Sequence, residues 1–207
     1  MTERIISLVI GYLLGCVLTA DIVARIYTGK NASQIGGSGN PGMANVAARL
    51  GVKAGMITLF GDLLKCVIAG AISFWLFSDA GRIVVLYAGL GCTVGHDFPF
   101  WRGFRGGKGV ATTSMAAALY SFGLGVTANL IGLLTLIFTK YLCIGGPVIP
   151  AAFAVFMLAR GDREAAALFA ALTILSLLKH GRDLKGIKDG TTKKTDILKN
   201  IKEKTRG

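Results

Sequence analysis

The sequence predicts an all-α, polytopic membrane protein with about seven transmembrane helices. Of its 207 residues, 53% are hydrophobic and only 16% are charged. Several apolar runs approach the roughly 20 residues that a helix needs to cross a bilayer. The lysines and arginines are concentrated between these runs and near the C-terminus. We therefore expect a single integral membrane domain over residues 1–207, ending in a basic tail over residues 180–207.

The first predicted span is the apolar run Ile5–Tyr27. Asp21 and Arg25 lie four residues apart in its second half, so on a helix they share a face and can pair. A cleaved signal peptide is the alternative for this run. Its length and the equally apolar remainder of the chain favour a permanent span instead.

The second span, Ala54–Phe77, contains Asp62 and Lys65, which are three residues apart and able to pair. Charges inside a span are costly and rarely idle. The remaining spans are predicted at Ile83–Gly95, in the two parts of Val110–Lys140 divided near Ser121–Gly123, at Gly146–Leu158 and at Ala165–Leu178. A small loop is predicted over Lys140–Gly146, and the tail is predicted to begin at Lys179-His180.

The first long polar segment, Thr28–Lys53, is rich in glycine. Gly37–Gly42 matches G-x-G-x-x-G literally, but a dinucleotide fingerprint follows a strand, and this match follows a predicted membrane helix. A Rossmann site is therefore excluded. What remains is a loop with hydrogen-bonding groups at Ser38, Asn40 and Asn45. A flexible linker rich in turn-forming residues is the alternative.

The second glycine-rich segment, Gly95–Thr113, places Arg102, Arg105 and Lys108 among four glycines just before a predicted helix. Glycines bring backbone N–H groups close to a ligand, and a helix N-terminus favours anions. The segment is not a P-loop, because no Ser or Thr follows Lys108. We expect an anion site, and the alternative is a basic loop that only fixes topology.

With seven spans, both glycine-rich segments, Lys140 and the tail fall on one membrane face with most of the 23 Lys and Arg residues. The other face receives four arginines, at positions 4, 82, 160 and 163. The positive-inside rule predicts a cytoplasmic C-terminus and an N-terminus outside. The two segments then look like two walls of one polar site.

The net charge of +12 would suggest nucleic acid as the partner of a soluble protein. On a membrane face, the same cations attract anionic lipids and phosphorylated solutes, so we expect lipid partners and no nucleic acid. The four cysteines have no Cys-x-x-Cys spacing, which predicts neither a disulfide scaffold nor a zinc site. No metal site is predicted from two histidines that lie far apart in the sequence.

The order and spacing of these motifs resemble the bacterial acyl-phosphate:glycerol-3-phosphate acyltransferases over nearly the whole chain. The matching motifs are Ser38-Gly-Asn-Pro-Gly42 with Asn45, Asp62-Leu-Leu-Lys65, Gly95-His96 with Pro99 and Gly103–Thr112, and Lys179-His180. The resemblance implies a seven-helix enzyme of the bacterial cytoplasmic membrane with a cytoplasmic active site. It also implies transfer of a fatty acyl group from acyl phosphate to the 1-hydroxyl of glycerol 3-phosphate, giving lysophosphatidic acid and phosphate. It implies no cofactor and leaves the oligomeric state open, a monomer included.

The resemblance implies roles for individual residues. The expected catalytic residues are His96, Lys108 and His180. The expected substrate- and phosphate-binding residues are Ser38, Gly39, Asn40, Asn45, Arg49, Arg105, Gly106, Gly107, Lys108 and Cys143. Because the donor is a mixed anhydride, the chemistry needs mostly orientation and neutralisation of charge. Either His180 or a phosphate oxygen of the substrate is expected to take the hydroxyl proton.

Departures from the family pattern indicate a diverged member. Met43-Ala44 replaces Ala-Thr, and Ala48 stands where the family has an arginine, with Arg49 about 100° further round a helix. Cys143 replaces a serine, and the tail lacks the family's asparagine, second arginine and glutamate. The alternatives are an active enzyme, a paralogue that acylates another phosphorylated polyol, and a non-catalytic binding or transport protein for a phosphorylated metabolite.

Overall fold

The computed structural model describes residues 1–192, 194 and 195, and within that part of the chain all the regular elements are helical. The α-helices are α1 (Thr2–Gly15), α2 (Thr19–Thr28), α3 (Met43–Leu50), α4 (Val52–Leu76), α5 (Ile83–Asp97), α6 (Val110–Tyr120), α7 (Phe122–Thr139), α8 (Leu142–Ala159) and α9 (Arg163–Lys188). They form two compact units, Met1–Tyr120 and a second unit that begins at Ser121. The single-domain assignment stays a prediction.

Six helical segments of the described chain are long and apolar enough to cross a membrane; one of them combines α1 and α2, and the others contain α4, α5, α7, α8 and α9. The apolar helix α6 has only 11 residues, or about 16 Å at 1.5 Å per residue, against a hydrocarbon core of ~30 Å. The polytopic all-α class is therefore confirmed. The count of seven spans and the orientation of the termini stay predictions.

In the first unit, α1 and α5 approach each other through glycines. A Cβ at Gly11 or Gly15 would collide with the backbone of Ala88 or Cys92, and a Cβ at Gly91 would collide with the backbone of α1. Small residues of this kind allow membrane helices to pack at short distance. This contact fixes the C-terminal end of α5, from which the second glycine-rich segment leaves, against the end of α1.

The first predicted span is broken in the structure, because α1 ends at Gly15 and α2 begins at Thr19. Side chains from later in the chain bond the carbonyls exposed by this break. Lys65 Nζ donates to the carbonyls of Gly15 and Val17, at 3.2 and 2.9 Å, and Trp101 Nε1 donates to that of Cys16 at 2.8 Å. Such partners are required where a helix is interrupted in apolar surroundings.

The second unit packs α8 against α7 and α9. Gly132 and Gly145 allow α7 and α8 to approach closely, and the rings of Phe153 and Phe169 join α8 to α9 with centroids 4.4 Å apart. The predicted division near Ser121–Gly123 is confirmed, because Ser121 is the N-cap of α7.

Two sequence-based boundaries in this unit were wrong. Helix α8 begins at Leu142, so most of the predicted loop Lys140–Gly146 is helical. Helix α8 also contains Pro147 and Pro150, which are tolerated because the helix packs on both α7 and α9. The predicted tail is helical up to Lys188, because residues 179–188 contain no proline, and Gly181 and Gly186 each cost a helix only about 1 kcal/mol. Residue 193 and residues 196–207 lie outside the described residues.

Candidate functional site

The first loop, Gly29–Gly42, is shaped by Asn45, which lies in the first turn of α3. Asn45 Oδ1 accepts hydrogen bonds from the backbone N of Ser38 at 3.0 Å and from Ser38 Oγ at 3.3 Å. Its Nδ2 donates to the carbonyl of Ala32 at 3.3 Å. The buried amide therefore holds both arms of the loop and leaves Ser38 exposed to solvent.

The same loop curves over Arg49. Gly36, Gly37 and Gly39 have positive φ values of 88°, 71° and 65°, which favour glycine. A Cβ built at Gly37 would lie 3.0 Å from Arg49 Nε, and one at Gly36 would lie 3.7 Å from Arg49 Cζ. The guanidinium thus lies against the glycines that precede Ser38. Ser38 Oγ also accepts from the backbone N of Asn40 at 3.3 Å.

The second loop, Phe98–Gly109, folds back on the end of α5. The backbone N of Gly106 donates to the carbonyl of Asp97 at 3.0 Å, and that of Gly107 donates to the carbonyl of His96 at 2.9 Å. Gly107 is packed against Nε2 of the His96 imidazole, where any Cβ would collide. Lys108 is half-buried and precedes the first turn of α6, whereas Arg105 is exposed.

Arg102 joins the two loops. Its Nη2 donates to Ser33 Oγ in the first loop at 2.8 Å, and its Nη1 donates to the carbonyl of Arg105 at 3.1 Å. Its Nε lies 3.2 Å from Asp21 Oδ2, a buried carboxylate whose other oxygen accepts from the backbone N of Ala32 at 2.8 Å. One guanidinium therefore connects the start of α2 with both loops.

The prediction that Asp21 pairs with Arg25 was wrong. Arg25 Nε instead donates to Asn31 Oδ1 at 2.7 Å, and Asp21 pairs with Arg102, which is 81 positions later in the sequence. Asp21 is buried and Arg25 is exposed. The buried carboxylate therefore pairs with Arg102, whose guanidinium also packs inside the first unit. An acidic residue in an apolar span indicated that Asp21 has a partner, but the sequence alone did not identify Arg102 as that partner.

A buried polar cluster lies beneath the second loop. Lys65 Nζ is 2.9 Å from Asp62 Oδ1, which confirms that these two residues pair, and 2.9 Å from His96 Nδ1. The side chains of all three residues are almost completely buried. The contact between Lys65 and His96 was missed by sequence reasoning, although a charged residue in one span and a histidine at the end of the next already indicated a shared polar region.

The remaining predicted site residues lie in the second unit. Cys143 is the second residue of α8 and is 3% exposed. His180 lies inside α9, is 1% exposed, and has Nδ1 2.9 Å from the carbonyl of Ser176. A carbonyl oxygen only accepts, so Nδ1 carries the hydrogen and the Nε2 of neutral His180 carries the lone pair.

An apolar groove of about 440 Å³ adjoins the second loop. The loop contributes Phe100 and Trp101 to its wall, and the remaining lining comes from α1, α2 and the break between them. That remaining lining consists of Leu13, Cys16, Val17, Leu18, Asp21, Ile22 and Arg25. Leu13, Val17 and Ile22 are about half exposed, so the groove can admit a hydrocarbon chain from the side that faces lipid.

Among the described residues, no group of three or more His, Cys, Asp or Glu side chains could hold a metal ion. Both loops belong to the first unit and meet where Arg102 bonds to Ser33. The segments that carry Arg49, Arg105 and Lys108 are joined by this contact, and an apolar groove adjoins the second loop. This arrangement suits a ligand with an anionic head and an apolar chain.

Known proteins with similar sequences are glycerol-3-phosphate acyltransferases by name. The profile of the glycerol-3-phosphate acyltransferase family matches residues 5–190. Over 202 residues, the chain is 38% identical to glycerol-3-phosphate acyltransferase 1 of Lactobacillus johnsonii, covering 98% of this chain and 97% of the relative. Over 199 residues, it is 32% identical to the glycerol-3-phosphate acyltransferase of Thermoanaerobacter pseudethanolicus, covering 96% of this chain and 98% of the relative.

Solved structures show the same fold. The crystal structure of PlsY (YgiH), an integral membrane glycerol 3-phosphate acyltransferase, in its glycerol 3-phosphate form has a TM-score of 0.82 to this chain at 24% identity, covering 96% of this chain and 98% of that chain. The motifs, the helical membrane fold and the near full-length similarity lead to one assignment. This chain belongs to the glycerol-3-phosphate acyltransferase family.

Proposed function

We propose that this protein transfers a fatty acyl group from acyl phosphate to the 1-hydroxyl of glycerol 3-phosphate. The observation that carries the proposal is the junction of two cationic, glycine-rich loops through Arg102 and Ser33. Both proposed substrates contain a phosphate group, and closely spaced arginine, lysine and backbone N–H groups bind phosphate well. Membership of the family supports glycerol 3-phosphate as the acceptor.

The donor is proposed to be an acyl phosphate, because its two parts match the two surfaces of the first unit. Its phosphate suits the second loop around Lys108, and its chain suits the groove beside Trp101. In the reaction, the acceptor hydroxyl oxygen bonds to the acyl carbonyl carbon, the bond from that carbon to the phosphate oxygen breaks, and inorganic phosphate leaves.

The protein's contribution is to orient the substrates and to stabilise charge. Lys108 and Arg105 neutralise the donor phosphate as it leaves, while Ser38 and Arg49 hold the acceptor phosphate. Gly39, Asn40, Gly106 and Gly107 supply backbone at close approach to the phosphates. The hydroxyl proton passes either to His180 Nε2 or to a phosphate oxygen of the substrate.

The proposed setting is the bacterial cytoplasmic membrane, with the two loops on the cytoplasmic face and lipids around the apolar helices. The concentration of Lys and Arg in the loops and near the C-terminus supports this orientation. It also places the loops where water-soluble glycerol 3-phosphate is available.

Purified protein incubated with palmitoyl phosphate and labelled glycerol 3-phosphate tests the proposal. We expect labelled lysophosphatidic acid and release of phosphate that depends on the acceptor. Lys108→Ala should lower turnover by about 10²–10³-fold, as the loss of one charge-stabilising donor does elsewhere, whereas Lys185→Ala, which removes an exposed lysine of α9, should not.

Two results would contradict the proposal. Acylation of another phosphorylated polyol in preference to glycerol 3-phosphate would indicate a paralogue with a changed acceptor. Saturable binding of glycerol 3-phosphate by folded protein without turnover would indicate a binding or transport protein.

A further inference from the structure

The buried ammonium of Lys65 is surrounded by hydrogen-bond acceptors. Its Nζ lies 2.9 Å from Asp62 Oδ1, 2.9 Å from the carbonyl oxygen of Val17 and 3.2 Å from that of Gly15. The fourth neighbour is His96 Nδ1, also at 2.9 Å. Three of these four atoms are oxygens without a hydrogen to donate. Two are backbone carbonyl oxygens, and the third belongs to the carboxylate of Asp62, which is paired with the ammonium.

These neighbours determine which nitrogen of His96 carries its proton. An ammonium has hydrogens to donate and no lone pair, so at 2.9 Å it requires an acceptor at His96 Nδ1. The distance from Nδ1 to Asp62 Oδ1 is 3.6 Å, which is too long for a hydrogen bond that would place the proton on Nδ1. A neutral Lys65 could accept from Nδ1, but it would leave the buried carboxylate of Asp62 without its cation, which is costly.

The other ring nitrogen faces the second loop. Nε2 of His96 is packed against Gly107, whose backbone N is bonded to the carbonyl of the same histidine at 2.9 Å. With Nδ1 occupied by Lys65, Nε2 carries the hydrogen. His96 therefore presents an N–H group to the glycines that precede Lys108.

We infer that Lys65, held by Asp62, is a positioning residue that fixes His96 as its Nε2–H tautomer and directs this N–H to the second loop. The inference rests on the proposed function for its consequence: His96 supports the phosphate-binding loop as a hydrogen-bond donor and does not take the hydroxyl proton. The proposed acceptors of that proton remain His180 and a phosphate oxygen of the substrate. His180 has the opposite tautomer, because its Nδ1 donates to the carbonyl of Ser176.

The chain contains two histidines in all, so its imidazole nitrogens can be observed directly. We propose ¹⁵N NMR of protein labelled only at histidine, in detergent micelles near neutral pH without substrate, with His180→Gln used to assign the signals. The expected result is a neutral His96 with the hydrogen on Nε2 and a non-protonated Nδ1. A hydrogen on Nδ1 of His96, or hydrogens on both nitrogens, would overturn the inference.

Variants of Lys65 test its role separately from the acyltransferase reaction. Lys65→Arg retains a charged donor and should keep the Nε2–H tautomer, with kcat/KM reduced by less than about tenfold. Lys65→Met removes the donor and should allow the Nδ1–H form, with kcat/KM reduced by about 10- to 100-fold. An unchanged tautomer and unchanged kinetics in folded Lys65→Met would overturn the inference. Because the tautomer is measured without substrate, failure of the proposed reaction would leave this test intact.

Discussion

Arg102 Nη2 and Ser33 Oγ are 2.8 Å apart, and this contact joins two loops that are separated by about 70 residues of chain. The same guanidinium pairs with Asp21, whose carboxylate is buried. The junction between the loops thus depends on an ion pair inside the first unit. Removing Arg102 alone and removing both charges of its pair with Asp21 should therefore have different effects on stability and similar effects on activity.

Arg102→Ala should destabilise the protein by about 3–5 kcal/mol, because it leaves the buried carboxylate of Asp21 without a cation. The double variant Asp21→Asn with Arg102→Ala should recover much of this loss, since position 21 then carries no charge. Acyltransferase activity should stay low in both, because neither restores the contact with Ser33. Thermal unfolding in detergent and kcat/KM measure the two effects, and full activity in the double variant would show that the junction is dispensable.

Arg49→Ala should raise the KM for glycerol 3-phosphate by about 10- to 100-fold, the equivalent of a charge-assisted hydrogen bond of 1.5–3 kcal/mol. Its guanidinium lies against the glycines before Ser38. Arg160→Ala removes an exposed arginine outside both loops and serves as the control.

Moving the arginine by one position provides a second test of the same site. In the double variant Ala48→Arg with Arg49→Ala, the side chain is rotated about 100° around α3, so the KM should remain high. Recovery of a normal KM would mean that the position of Arg49 is not what matters.

Gly107→Ala should abolish most activity, because the added methyl group collides with the His96 imidazole and either the loop or the ring must move. Gly123→Ala makes the same chemical change in α7, where nothing beyond the adjacent backbone of the helix lies within 4 Å of the new methyl group, and should be neutral or slightly stabilising. Comparison of kcat/KM and of the unfolding temperature for the two variants checks this. Wild-type activity in Gly107→Ala would contradict the packing of the loop on His96.

Val17→Trp should shift the donor preference from palmitoyl phosphate towards octanoyl phosphate, because the larger ring fills part of the apolar groove. Val155→Trp adds the same volume to an exposed position of α8 and should leave the preference unchanged. The ratio of kcat/KM for the two donors is the measurement. An unaltered ratio in Val17→Trp would place the acyl chain elsewhere.

The predicted orientation can be tested with single introduced cysteines. An impermeant thiol reagent applied to intact cells should label Arg82→Cys and Arg160→Cys and should not label Lys53→Cys. The four native cysteines are buried and should react slowly. Labelling of Lys53→Cys from outside would indicate the opposite orientation and contradict a cytoplasmic site.

Local patterns predicted much of this structure. Apolar runs located the helices because each had to satisfy its backbone internally in a membrane, and the glycine and charge patterns located both loops. The pairing of Asp62 with Lys65 was predictable because the two residues are one helical turn apart. These features depend on residues that are close in sequence.

Contacts between distant segments were not predictable in the same way. Arg25 was a plausible partner for Asp21 four residues away, yet the buried carboxylate of Asp21 pairs with Arg102. Cys143 was expected in the loop Lys140–Gly146, yet α8 begins at Leu142 and includes this position. The link from Lys65 to His96 depends on how α4 meets α5, which a single sequence does not specify.

The break between α1 and α2 has a consequence for biosynthesis. The carbonyl groups of Gly15, Cys16 and Val17 enter the nascent chain early, whereas their folded-state donors follow 48 to 85 residues later, in α4 and in the second loop. Until those donors are synthesised, these carbonyls must bond within a continuous helix or to water at the membrane surface. The first span therefore acquires its final shape only when the second and third have been inserted, so maturation of this region follows the order of translation.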